Sequence, residues 1–288
     1  MKQATTVEEQ ILLLRKRGLI IANEVKAKEI LLDVGYYRLG FYWFPFEKTY
    51  PEKGRKRSHV FVPGISFQDV VDLYYFDNDL RKILLTYLWR IEVNLRTHII
   101  YHISNQYKNN PIWFADPSIM ADRFVSHFQK VYQDNIKNNR VIARHHTKYP
   151  QDLYAPAWKT LEYATFGDII LLFNNLKIND LKFYISNQYG IKNLDVFSSY
   201  IGTIRILRNL CAHGHPIYDL QLQKSIKTGV IQSMKGLEHH NLSGAIQVMA
   251  FLLNTISSNR VVDLQNDVSC LIAKHESKKI FPIISYLK

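Results

Sequence analysis

Cysteine is nearly absent: Cys211 and Cys270 are the 2 in 288 residues. That excludes a disulfide framework and a cysteine-built zinc site, and it suits a reducing compartment. Glycine and proline are also sparse, at 12 and 9, which argues against a long low-complexity or disordered stretch. No apolar run approaches the roughly 20 residues a membrane-spanning helix needs. The opening "MKQATTVEEQILLLRKRG" has a short apolar run bracketed by charges, without the apolar core and cleavage site of a secretory signal. A cytoplasmic protein with no membrane partner is expected. No Walker, Rossmann or nucleophile-elbow pattern occurs, and no repeat at solenoid periods.

Acid is the other shortage. Against 37 Lys+Arg stand 25 Asp+Glu, a formal charge of +12 and a pI near 9.5. Such a surface suits a polyanion, nucleic acid first and an anionic membrane surface second. With 47% of residues hydrophobic, the chain can bury one large core.

What is there is helical in pattern almost throughout. "TTVEEQILLLRKRG" predicts a helix capped at Thr5 or Thr6 and stopped at Gly18; "NEVKAKEILLDVGYYRLG" predicts a second, capped by Asn23. Seven aromatics then crowd between Tyr36 and Phe46, followed by the basic loop "EKTYPEKGRKRSH" and by "HVFVPG", a short strand or extended chain. A long helical region starts near Ser66, with Asp69 in its first turn, and a break is expected near Asp77 to Asp79. "AWKTLEYATFGDIILLFNNL" predicts a helix pair or a glycine-kinked helix, and further helices follow to the end. The class is all-α, with at most a hairpin between residues 44 and 63. The organisation expected is an N-terminal segment, 1–64, with the aromatic block and basic loop, and a helical domain, 65–288, together in one compact unit.

The chemistry concentrates in "RILRNLCAHGHPIYD", Arg205 to Asp219. On a helix, Tyr200, Ile204, Leu207 and Cys211 form one apolar stripe. Arg205, Asn209 and His213 recur every four residues on the opposite side, with Arg208 on the flank, able to bend toward His213. Gly214 and Pro216 end the helix and leave His213 in its last turn, where the partial negative charge of unpaired carbonyls favours a cation. An Arg-Asn-x-x-x-His cluster at a helix end suits RNA cleavage without a metal or cofactor. An imidazole, unperturbed near pH 6.5, takes a proton from a ribose 2′-OH or gives one to the leaving 5′-oxygen. The planar guanidinium holds a phosphate oxygen and offsets charge building on phosphorus. Asn209 can orient the ring or hold the phosphate. One imidazole serves poorly as both base and acid, so a second copy from a partner subunit, in a homodimer, would complete the site.

"RNLCAH" resembles the Arg-polar-x3-His signature of the HEPN superfamily. "LLDVGYYRLGFYWFPF", "FDNDLRKILLTYLWRIEVNLRTHI", "PAWKTLEYATFGDIILLF" and "LRNLCAHGHPIYD" together resemble the Abi family of abortive-infection proteins, the AbiD/AbiF-like group, over roughly residues 8 to 220. The resemblance implies a HEPN-type helical bundle, a metal-independent endoribonuclease in phage defence or as a toxin, and restraint by a structured noncoding RNA. It maps the catalytic residues to Arg208, Asn209 and His213. Some relatives carry a Tyr two positions after the His; here that position is His215, with Tyr218 further on, and their roles stay open.

RNA contacts are expected from Arg205 and His215, from Arg55, Lys56 and Arg57 in the basic loop, and from Tyr37 and Arg38, which could stack and pair with a strand. For the aromatic block the alternative is core packing. Glu92 and Arg96, four apart, either pair within their helix or face the Arg208 helix and position it. His145–His146 and His239–His240 read as surface histidines, since neighbours on a helix diverge by about 100° and chelate poorly. The rival to an enzyme is a non-catalytic module in which Arg208 and His213 only grip the phosphates of a noncoding RNA. A third reading is a helical subunit modified by a nucleotidyltransferase partner.

Overall fold

A computed structural model describes residues 3–52 and 54–287. Among them are thirteen helices and no strand, so the protein is all-α. In chain order these are α1 Val7–Lys16, α2 Glu24–Asp33, α3 Tyr36–Leu39, α4 Phe67–Gln106, α5 Asp122–Val131, α6 Arg140–Lys148 and α7 Ala157–Thr160. They continue with α8 Phe166–Asn175, α9 Asn179–Asn187, α10 Leu194–Ala212, α11 Leu242–Ile256, α12 Ser258–Ala273 and α13 Phe281–Ile284. The "HVFVPG" stretch forms no strand: it makes an isolated bridge, Phe61 to Glu47, and Phe61 N–H also donates to Arg17 O at 2.9 Å.

The helix starts follow from capping chemistry. Thr6 and Glu9 form a reciprocal box at α1, and Thr165 and Asp168 form one at α8. At α4, the Asp69 carboxylate accepts from the Ser66 backbone at 2.7 Å while the Ser66 hydroxyl accepts from Asp69 N–H at 3.2 Å. The break expected at Asp77 to Asp79 does not occur: α4 runs unbroken for 40 residues. Asp77 pairs with Arg81 one turn on, and Asp79 accepts from Lys82 at 2.9 Å, so these acids support the helix instead of competing with it.

The chain divides into two compact units, each discontinuous in sequence. The first comprises residues 1–83, 214–219 and 265–288. Its α1 and α2 pack together, and Tyr42, Trp43 and Phe46 of the aromatic block are buried in it. A polar clasp ties the short inserted segment to α4. The buried Asp77 carboxylate accepts from Tyr42 Oη at 2.7 Å, from the Ile217 and Tyr218 amides at 3.1 and 2.7 Å, and from Arg81. Burial pushes the Asp77 carboxyl up; the Arg81 guanidinium, the Tyr42 hydroxyl and the two amides pull it back. Tyr218 is buried, and its hydroxyl donates to Phe41 O at 2.7 Å.

The second unit comprises residues 84–213 and 220–264. At its centre lies α10, packed on α8, α9 and α11. The predicted stripe holds: Tyr200, Ile204, Leu207 and Cys211 are all buried. The close approach of α11 to the turn before it depends on Gly244, where an added Cβ would stand 1.8 Å from the Glu238 carbonyl oxygen.

Candidate functional site

The second unit presents the polar side of α10. Asn193 caps the helix start by accepting from the Asp195 and Val196 amides at 2.9 and 3.2 Å. At the other end the His213 amide still bonds to Asn209 O at 2.9 Å, and Gly214 takes φ +68°, a conformation that costs a residue with a Cβ about 1 kcal/mol or more. Arg205 and His213 are exposed and Asn209 half-buried, as the four-residue spacing predicts.

Arg208 turns to Glu92. Its Nε donates to Glu92 Oε2 at 2.9 Å, and its Nη1 lies 3.3 Å from Asn209 Oδ1. Glu92 also accepts from Arg96 Nη2, at 3.1 Å, on its other oxygen. Arg96 Nη1 in turn donates to the carbonyls of Leu161 and Ala164 at 2.6 and 2.7 Å. Both readings of Glu92 and Arg96 therefore hold: they pair within α4, and the pair also faces α10 and holds Arg208. The Glu92 side chain is 8% exposed and that of Arg208 31%. A nearly dry carboxylate between two guanidinium groups draws Arg208 inward by its Nε, while the far edge of its fork keeps access to solvent. The sequence signal for this contact was the i,i+4 pair itself; its meeting with α10 is a tertiary contact.

Upstream on the same face of α10 lies an open groove of about 790 Å³. Residues of α10, among them Ser198, Gly202 and Arg205, line it together with α8 from Gly167 to Asn174 and the segment from Leu222 to Lys227. The Arg205 stem passes over Gly167, whose added Cβ would touch it at 4.0 Å. Asn174, Ser198, Lys224 and Lys227 belong to this groove, and nothing in their spacing along the chain marks them as neighbours.

The remaining expected RNA contacts belong to the first unit. Tyr37 is 83% exposed. Arg38 donates to Gly214 O at 3.1 Å, and His215 is exposed while its carbonyl accepts from Arg81. Arg57 is gripped by the buried Glu47 through two bonds of 2.7 Å and lies over the Phe44 ring. Lys56 is exposed, 3.7 Å from Glu52; the Arg55 side chain lies outside the described residues. His145 corrects the sequence reading: it is buried, not on the surface, with Nε2 3.0 Å from Asp152 Oδ2, because α6 turns Ile142 and His145 inward together. His146 is half-buried against the Tyr132 hydroxyl at 2.5 Å. Among the described residues no group of three or more His, Cys, Asp or Glu could hold a metal ion, and no helix is long and apolar enough to cross a membrane.

A family model described as Abi-like protein matches residues 29–219, a span that holds Glu92, Arg96, Arg208 and His213. Neither the curated proteins nor the solved structures return a match.

Proposed function

The chain belongs to the Abi-like protein family, and from that premise we propose that it is a HEPN-type endoribonuclease acting in abortive infection. The observation that carries the reading is the held guanidinium: Glu92 fixes Arg208 by its Nε at 2.9 Å, and an exposed His213 stands five residues on, at the end of the same helix. Preorganised donors act where charge develops, and they need no rearrangement at the moment of reaction. His213 takes the proton of a ribose 2′-OH. The 2′-oxygen attacks the adjacent phosphorus and the 5′-oxygen leaves with a proton, giving a 2′,3′-cyclic phosphate and a 5′-hydroxyl. Arg208 bears on the phosphate oxygens and Asn209 on the Arg208 fork. The second imidazole comes from a second copy of the chain, so each composite site belongs to a homodimer. A cytoplasmic setting and restraint by a noncoding RNA complete the proposal.

The test is cleavage of mixed cellular RNA in EDTA by the purified protein, beside His213→Ala. The expected loss in the variant is about 10²–10⁴-fold, with cyclic-phosphate ends on the parent's products. A 2′-deoxy residue at the cut must stop the reaction; cleavage there sinks the mechanism. RNA binding by both proteins with no cut by either favours the binding module.

A further inference from the structure

Between residues 123 and 148 the chain carries Arg123, Lys130, Lys137, Arg140, Arg144 and Lys148 against a single acid, Asp134. This excess lies outside both the Arg208–His213 cluster and the basic loop. Three of the six, Arg140, Arg144 and Lys148, stand four residues apart on α6 and are all exposed. Eight residues of helix span about 12 Å. Lys137, three residues before Arg140, lies close enough to help lower the His146 pKa, behind burial and His145. The opposite face of α6, with Ile142 and His145, is packed inward.

Some cations of the chain sit beside carboxylates: Arg15 on Glu24 at 2.8 Å, Lys28 on Glu24 at 3.2 Å, Lys278 on Asp72 at 3.1 Å. Around α6 they do not. Among the described residues Lys130, Lys137, Arg140 and Arg144 have no carboxylate within ion-pair distance, and Asp152 is engaged by the buried His145. Lys148 lies over the half-exposed Tyr149 ring, 5.4 Å from its centroid. The result is a ridge of mutually repelling charges ending in a stacked aromatic. Like charges so placed are offset by a polyanion whose counterions they release.

We propose that the α6 ridge is an RNA-docking surface that grips the phosphate backbone away from the residues that cut. The inference rests on the reading of the protein as one that acts on RNA. A membrane surface fits less well, because a helix lying on lipid presents large apolar side chains beside its cations, and the outer face of α6 offers only Val141. The ridge reads charge and spacing, so its contribution is independent of base sequence.

The test is equilibrium binding of a fully 2′-O-methylated 20-mer RNA, which cannot be cut by 2′-OH attack, at several salt concentrations in EDTA. The combined variant Arg140→Gln, Arg144→Gln, Lys148→Gln removes three exposed charges and no core contact. Its log–log salt slope should fall in magnitude by about 2, at about 0.7 per phosphate contact on a single strand, with affinity down about tenfold or more at low salt. Arg140→Lys with Arg144→Lys keeps the charges and should keep the parental slope. An unchanged slope and affinity in a triple variant with parental thermal stability overturn the ridge and leave the nuclease reading standing. A fallen slope in a protein that cuts no RNA upholds the ridge and removes the nuclease. Loss of binding to anionic vesicles, with RNA binding intact, overturns the ridge in favour of a membrane surface.

Discussion

Glu92 is the residue on which the candidate site turns. It holds two guanidinium groups at once, one already anchored to backbone carbonyls and the other on α10. Replacing it by Gln keeps the shape and removes the charge, so Arg208 loses the partner that fixes its Nε. The expected outcome is a fall in kcat of about 10²-fold, the scale of one lost preorganised donor, with KM for RNA little changed. A purely structural role would lower the amount of folded enzyme and leave kcat per folded molecule as it was. Glu92→Ala goes further: it leaves Arg96 buried with no counter-charge, a loss of about 3 kcal/mol that denaturant unfolding would register. Arg38, Arg57 and Tyr37, three expected RNA contacts, stand in different surroundings: Arg57 is bound to a buried carboxylate, whereas Arg38, which meets the Gly214 carbonyl, and Tyr37 are both exposed.

At the scale of elements, two glycines on neighbouring helices predict opposite outcomes. An alanine at Gly244 would drive its methyl into the Glu238 carbonyl, so Gly244→Ala should destabilise by about 1–3 kcal/mol. Gly202, in the interior of α10, has open space within 4 Å of an added Cβ, so Gly202→Ala should stabilise by about 0.5–1 kcal/mol. Thermal unfolding of the pair checks both signs. On α4, His98 has a lowered pKa, mainly through burial and then through the charge of His102, and its Nδ1 has no hydrogen-bond partner. Its folded pKa lies below the unfolded one. As pH falls below about 6.5 the unfolded chain therefore takes up the proton first, and stability drops. His98→Gln should lessen the fall in melting temperature between neutral pH and about pH 5.5; an equal fall in both proteins would show that His98 is not its source.

At the scale of the whole molecule, the proposed function needs a second chain. Refolded together with an excess of His213→Ala, the parent chain is drawn into mixed dimers that hold one imidazole where the composite site requires two. Cleavage per parent chain should therefore fall as His213→Ala is added. Cleavage per parent chain that stays constant, with mixed dimers present by mass spectrometry, would mean that each protomer works by itself. The charge of +12 acts at the same scale: under the proposed function it would draw RNA of any sequence toward the surface, and added salt would weaken that attraction.

Local chemistry was enough for the helices and their ends. Periodicity marked the buried stripe of α10, the Thr6, Asn23 and Ser66–Asp69 caps were legible from residue type, and the resemblance over most of the chain agrees with the family match. These features depend on residues within a turn or two of each other, where backbone geometry dictates who can meet. The unbroken α4 was misread because Asp, Asn and Asp look like a stop until Arg81 and Lys82 are seen to pair with them. What only the tertiary structure decided is long-range: Glu92 meeting Arg208 across 116 residues, Asp77 holding amides 140 and 141 residues away, the groove walled by α8 and the 222–227 loop. Such contacts are fixed by how apolar faces pack. A charged side chain then takes whichever partner that packing leaves within reach, and its own neighbours in the chain do not name it.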